Sequence, residues 1–248
     1  MDDLTRIQRD ERRRLRGKRA WWVAAALLAA LVGSIGCAPI STLSALVAPF
    51  SNNNIDPVFD LTIPDKESKV VFIVAHSNPN NVSEIFRDAD QVLCTRLTNM
   101  LALRYKENKE KVTIVPVSKV YAYMHDHPGW ITQSKQEIGK KFGADFVAYL
   151  ELGHLSMYEN KSTDLYRGNV DITIKVADVN VGDTSTSTTF KEAKVRDSIF
   201  TCTYPTNQPE DRFSMSPPQF RAAFLERVAK GLVPYFVASP PKSRTDID

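Results

Sequence analysis

Hydrophobic and polar positions change their period several times along this 248-residue chain, and the changes mark its elements. Residues 69–75 form a continuous apolar run, the pattern of a central strand buried on both faces. Residues 76–81 read as a loop rich in turn formers. Leu93, Leu97, Met100, Leu101 and Tyr105 then recur at helical spacing, predicting a helix that begins near Asp88. Asp88 and Asp90 suit its N-terminus, and Arg104, Lys106 and Lys109 suit its C-terminus. Residues 112–116 read as a second strand, parallel to the first because a helix joins the two.

A short helix over 118–124 is expected next, broken by His125, Asp126, His127, Pro128 and Gly129. Ser134 and Glu137 make a capping box for a further helix that stops at Gly143. Residues 146–152 form a third strand. Val170, Ile172, Ile174 and Val176 alternate with Asp171, Thr173 and Lys175, the clearest half-buried strand in the chain. A turn at Gly182 and Asp183 leads to a last strand within 188–204. Ser216 and Pro217 cap a final helix with a stripe of Phe220, Phe224, Val228 and Leu232. The order βαβαβββα predicts an α/β (α+β) fold: a mixed sheet of about five strands with helices packed on it.

The first 56 residues follow another logic. Residues 1–19 carry eight basic and four acidic side chains, a net +4, and no charge occurs between Ala20 and Asp56. Trp21 and Trp22 open an apolar alanine- and leucine-rich run that ends at Gly33, Ser34, Ile35, Gly36 and Cys37. Basic block, apolar run, small residues and cysteine form the pattern of a lipoprotein signal peptide, with Cys37 as the lipidated residue. Ser34 departs from the lipobox, where leucine is usual, and Gly36 fits it. The alternative is an uncleaved helix over residues 20–38, close to the ~20 residues that span a bilayer. Both readings place the following chain outside the cytoplasm, facing the periplasm. Ala38 after the lipid site favours the outer membrane over the inner under the enteric sorting rule, and the uncleaved helix makes a single-pass inner-membrane protein instead.

Because the whole chain is +3, removing the +4 leader leaves a domain of −1. That near neutrality removes any broad electrostatic footprint for nucleic acid. Residues 37–65, with Asn52, Asn53, Asn54 and four spaced prolines, read as a tether. The α/β domain is then expected over 66–236, and 237–248 as a disordered tail. With Cys37 assigned to lipid, Cys94 and Cys202 remain. A buried thiol suits the apolar stripe around Cys94, and a disulfide between the two is the alternative.

The phrase from Ile138 to Leu150, with Gly143, Ala144 and Asp145 between a helix and a strand, resembles small envelope α/β modules. These are the curli-secretion lipoprotein, the lipoprotein activators of penicillin-binding proteins and the amino-terminal domain of TolB. The likeness covers about residues 69–203 at the level of pattern, and Leu150 stands where many members have glycine. The resemblance implies a lipid-anchored binding or assembly module without catalysis or cofactor, and it transfers no functional residue.

Candidate chemistry is sparse. His125, Asp126 and His127 offer two imidazoles and a carboxylate to a divalent metal, with His76, Glu151 or His154 as a third ligand. No HExxH, paired CxxC, GxSxG elbow or glycine-rich phosphate loop accompanies them. Tyr121, Tyr123 and Trp130 are the candidate partner-binding residues, since Tyr and Trp are favoured at interface hot spots. The expected function is a non-enzymatic envelope lipoprotein whose domain binds or scaffolds another envelope component. A metal-dependent or hydrolytic envelope enzyme, and a homo-oligomeric subunit of an outer-membrane secretion assembly, are the alternatives.

Overall fold

Val70, Val71, Phe72, Ile73 and Val74 are all at most 1% exposed in the computed structural model, and this two-sided burial sets the layers of the fold. The structure describes residues 54–159, 162, 164–180 and 196–240. The chain divides between Met1–Asn52 and Asn53–Asp248, and every described residue belongs to the second part. The leader, Cys37, the first part of the expected tether, the turn at Gly182 and Asp183 and the last eight residues lie outside the described residues.

The strands are β1 (Ser68–His76), β2 (Val112–Ile114), β3 (Phe146–Tyr158), β4 (Leu165–Asp178), β5 (Arg196–Tyr204) and β6 (Glu210–Asp211). The helices are α1 (Ala89–Glu107), α2 (Val117–Asp126), α3 (Lys135–Phe142) and α4 (Pro217–Leu232). The sheet order is β2-β1-β3-β4-β5, with β6 paired to the start of β4. β1 is parallel to β2 and β3, whereas β3, β4 and β5 are antiparallel. The expected mixed sheet is therefore present, with one short additional strand.

One face carries the larger core. Phe72, Val74, Leu150, Ile172, Ile174 and Phe200 meet Leu93, Leu97, Leu101 and Tyr105 of α1 and Phe220, Phe224, Val228 and Leu232 of α4. Both predicted stripes face this core, with Met100 of α1 only partly buried, because a helix turned by 3.6 residues presents them on one side. The smaller core on the other face joins Val71, Ile73, Val147 and Tyr149 to Val120 of α2 and Ile138 of α3. These two short helices cover β1 and the first half of β3. Beyond them the second face turns polar: Asp171, Thr173 and Lys175 alternate with buried residues on β4, and Ile199 of β5 is 70% exposed.

Several boundaries differ from the sequence reading. α2 continues through His125 and Asp126, so the break falls at His127 and Pro128 and not at His125. β3 runs six residues past Leu152, with register shifts between Leu152 and Leu155 and between Ser156 and Tyr158. After the first shift the alternation resumes, with Leu155 and Met157 toward the larger core.

The folded chain also reaches beyond the expected 66–236 at both ends. Phe59 and Leu61 are buried, and Ile55 and Ser239 exchange backbone hydrogen bonds of 2.8 and 3.2 Å. Phe59 stacks on Phe236 at 5.8 Å, its amide donates to the Tyr235 carbonyl, and Val237 is buried. The period-two spacing of Phe59, Leu61 and Ile63 thus outweighs the neighbouring prolines. Replacing Leu61 with alanine is predicted to lower unfolding free energy by about 2–5 kcal/mol, the range for a buried leucine. Denaturant titration checks this, and a value within about 0.5 kcal/mol of zero would return the segment to a solvated tether.

Candidate functional site

The Gly-Ala-Asp step predicted from sequence is built from its parts. Ser134 and Glu137 form the capping box of α3, and Gly143 ends the helix in the left-handed region at φ 58°. That conformation suits a residue without Cβ. It turns the chain so that Asp145, 7% exposed, sits below the starts of β1 and β3. Its carboxylate accepts from the Lys66 ammonium at 2.6 Å, the Lys69 amide at 2.9 Å and the Asn180 amide at 3.0 Å. Burial alone raises the carboxyl pKa. The hydrogen bonds from Lys66, Lys69 and Asn180, with the Lys66 charge, outweigh it and hold the group below the ordinary carboxylate range. Asp145 is a structural clamp.

α2 and the turn after it carry the partner-binding candidates. Tyr121 is half-buried and donates its hydroxyl to the Val74 carbonyl at 3.0 Å. Burial pushes its pKa up. Tyr123 donates to Gln133 Oε1 at 2.8 Å and stacks on His127 with ring centroids 4.3 Å apart. Both tyrosines are therefore committed to the fold. The turn Pro128–Thr132 is held by Trp130 N donating to His127 O and Gln133 N donating to Trp130 O. It half-buries Trp130 against the smaller core and leaves Ile131 53% exposed. All three candidates are half-buried, and Trp130 is the one with an exposed apolar residue next to it in the chain, Ile131, which the sequence reading missed.

The candidate metal ligands do not converge. His125 is exposed and lies 3.2 Å from Asp126, while His127 Nδ1 faces the Tyr123 carbonyl at 3.0 Å. Of the expected third ligands, Glu151 pairs with Lys175 at 3.6 Å, and His76 sits at the end of β1 with Nε2 4.0 Å from Asp90. Burial raises the Asp90 pKa, opposed by the Gln91 amide and His76. No group of three His, Cys, Asp or Glu able to hold a metal occurs among the described residues. Cys94 is a buried free thiol that donates to the Phe72 carbonyl at 3.6 Å, not half of a disulfide with Cys202. Burial pushes its pKa up to about 12, so it carries little thiolate at neutral pH.

A second feature lies at the far end of the sheet, where His154, Ser156 and Tyr158 of β3 meet Arg167 and Asn169 of β4 and Thr203 of β5 around a polar recess of about 360 Å³. The sequence carried a signal for its β3 side only. His154, Ser156 and Tyr158 alternate with Leu155 and Met157, the period of a continuing strand.

No protein-family model and no curated protein matches the chain. Among solved structures it is similar to a PelC dodecamer from Paraburkholderia phytofirmans, at 14% identity over 75% of this chain and 96% of that one, with a TM-score of 0.38. It is similar to lipoprotein GNA1162 from Neisseria meningitidis at 11% identity, over 66% and 97% of the two chains, with a TM-score of 0.37. It is also similar to the LpoB C-terminal domain from Salmonella enterica at 13% identity, over 55% and 82%, with a TM-score of 0.30. GNA1162 is by its own description a lipoprotein.

The Asp145 clamp gives a pH prediction. A carboxylate with a depressed folded pKa adds stability above its unfolded value, near 3.9, and loses it as pH falls through the folded value. Asp145→Asn is therefore expected to lower the melting temperature at pH 7, with the gap to wild type narrowing below about pH 4. Melting curves from pH 3 to 7 test it, and a gap that stays constant through the acid range would contradict the assignment.

Proposed function

We propose that this protein is a non-enzymatic lipoprotein of the bacterial cell envelope, held to a membrane through Cys37, whose α/β domain binds another envelope protein. The anchor rests on the order of the leader: basic block, apolar run, Gly36, Cys37. Two or more acyl chains make such an attachment stable where one gives only weak binding. Tethering confines the domain near the membrane and raises its effective concentration toward a partner there.

The single structural observation behind the binding role is the pinned turn at Trp130 and Ile131. An aromatic residue set half-way into a small core, with an exposed aliphatic neighbour on a hydrogen-bonded turn, is a preordered contact. The turn loses little conformational freedom on binding, which favours affinity. Half-buried Tyr121 and Tyr123 are hydrogen-bonded to Val74 and Gln133, so they fasten the helix before the turn and the residue after it.

A photo-crosslinking amino acid at position 131 tests the role in cells. The expected outcome is one discrete adduct with an envelope protein, reduced at least fivefold by Trp130→Ala while the melting temperature shifts by only a few degrees. Adducts equal in pattern and yield to those from exposed Lys119 would refute the contact.

A further inference from the structure

We infer that the recess at the far end of β3, β4 and β5 binds a neutral oligosaccharide. The inference is independent of the lipid anchor and of the turn at Trp130. The recess is about 360 Å³, inside the roughly 300–1,000 Å³ range of small-ligand sites. Such sites are mostly apolar, whereas every side chain around this one carries a hydrogen-bonding group. Its ligand must therefore present donors and acceptors over most of its surface.

Charge narrows the class. The recess contains one arginine and one glutamate, Arg167 and Glu159, paired at 3.0 Å and each less than a third exposed. An anion would face Glu159 and a cation would face Arg167, and separating the pair leaves a partly buried charge uncompensated. A neutral ligand leaves it intact. The Arg167 guanidinium is also fixed by donating to the Thr206 carbonyl at 3.1 Å.

The polar groups are preordered. Thr203 donates to Asn169 Oδ1 at 2.8 Å, and Asn169 donates to the Arg167 carbonyl at 3.0 Å. Asn169 lies opposite Ser156 on one side and Thr203 on the other, so these three side chains form a row across the sheet. Preordering reduces the entropy lost when a ligand binds. The His154 ring, the Ser156 hydroxyl and the Tyr158 hydroxyl have no hydrogen-bond partner among the described residues, and sugar hydroxyls both donate and accept.

Tyr158 supplies the remaining requirement. It is 42% exposed and its ring lies 5.6 Å from that of Tyr166, which stacks on buried Phe220 at 4.9 Å. A pyranose has an apolar C–H face that such a backed ring can cover. An extended peptide, the other neutral polar polymer, would gain its main-chain hydrogen bonds along the free edges of β3 beyond Leu152 and of β5, and not from the side chains that line the recess.

The test is calorimetric titration of the full chain in detergent micelles with cellohexaose, chitohexaose, an oligogalacturonate and a neutral extended hexapeptide. Saturable binding of at least one neutral hexasaccharide is expected, weakened at least tenfold by Tyr158→Ala and abolished by Ser156→Trp, which fills the recess. Tyr158→Phe, which keeps the ring, should retain most of the affinity, and variants are compared only where their melting matches wild type. Lack of saturable binding to both neutral sugars overturns the inference. Undiminished binding by Ser156→Trp, or preference for the galacturonate or the peptide, overturns it as well.

Discussion

Burial of β1 on both faces is the constraint from which the rest of the architecture follows. A strand whose consecutive side chains are all shielded must have a layer on each side. α1 and α4 supply one layer with long apolar stripes, while α2 and α3 supply the other with Val120 and Ile138. The two layers are unequal. The larger follows the sheet out to Phe200 of β5, and the smaller stops over the first half of β3. This inequality leaves one polar sheet face open at β4 and β5, and it places the Trp130 turn at the edge of the thinner layer.

The ends of the strands are held by charge and chain pairing. Asp145 joins the segment before β1, the start of β1 and the segment after β4 through one carboxylate. Losing it leaves Lys66, which is largely exposed, with little penalty of its own, so the cost falls mainly on the ordered backbone at Lys69. Around the same end, Tyr105 of α1 donates to the Phe236 carbonyl at 3.0 Å, and Ile55 pairs with Ser239. The chain thus enters and leaves the domain side by side, near the starts of β1 and β3. The recess lies at the opposite end of β3, about eight to twelve residues along the strand from Phe146. At ~3.3 Å per residue that separates the two regions by roughly 25–40 Å.

Sequence periodicity made most of the fold legible. The capping boxes at Ser134 and Ser216, the left-handed Gly143 and the stripes of α1 and α4 are local signals whose physics needs no tertiary information. Phe59 and Leu61 were obscured because prolines and asparagines around them mimic a linker, and only contact with Phe236 and Tyr235 reveals their burial. The extension of β3 was obscured by Gly153 and by the shift in register, which interrupts the alternation for two residues. Tyr121 and Tyr123 read equally as partner contacts or as packing residues in sequence, because composition does not tell where a hydroxyl points, and the bonds to Val74 and Gln133 appear only in the fold. The recess was beyond reach for a related reason: residues from β3, β4 and β5 become one site only when the register across three strands is known.

The central claim, a neutral α/β binding module tethered to a membrane by lipid, turns on the chemistry of one residue. Intact mass spectrometry of the chain extracted from cell membranes measures it directly. The account predicts a mature protein that begins at Cys37 and carries the mass of a diacylglyceryl group, with or without a further acyl chain. A membrane-extracted chain that retains residues 1–36 and has an unmodified Cys37 would contradict it.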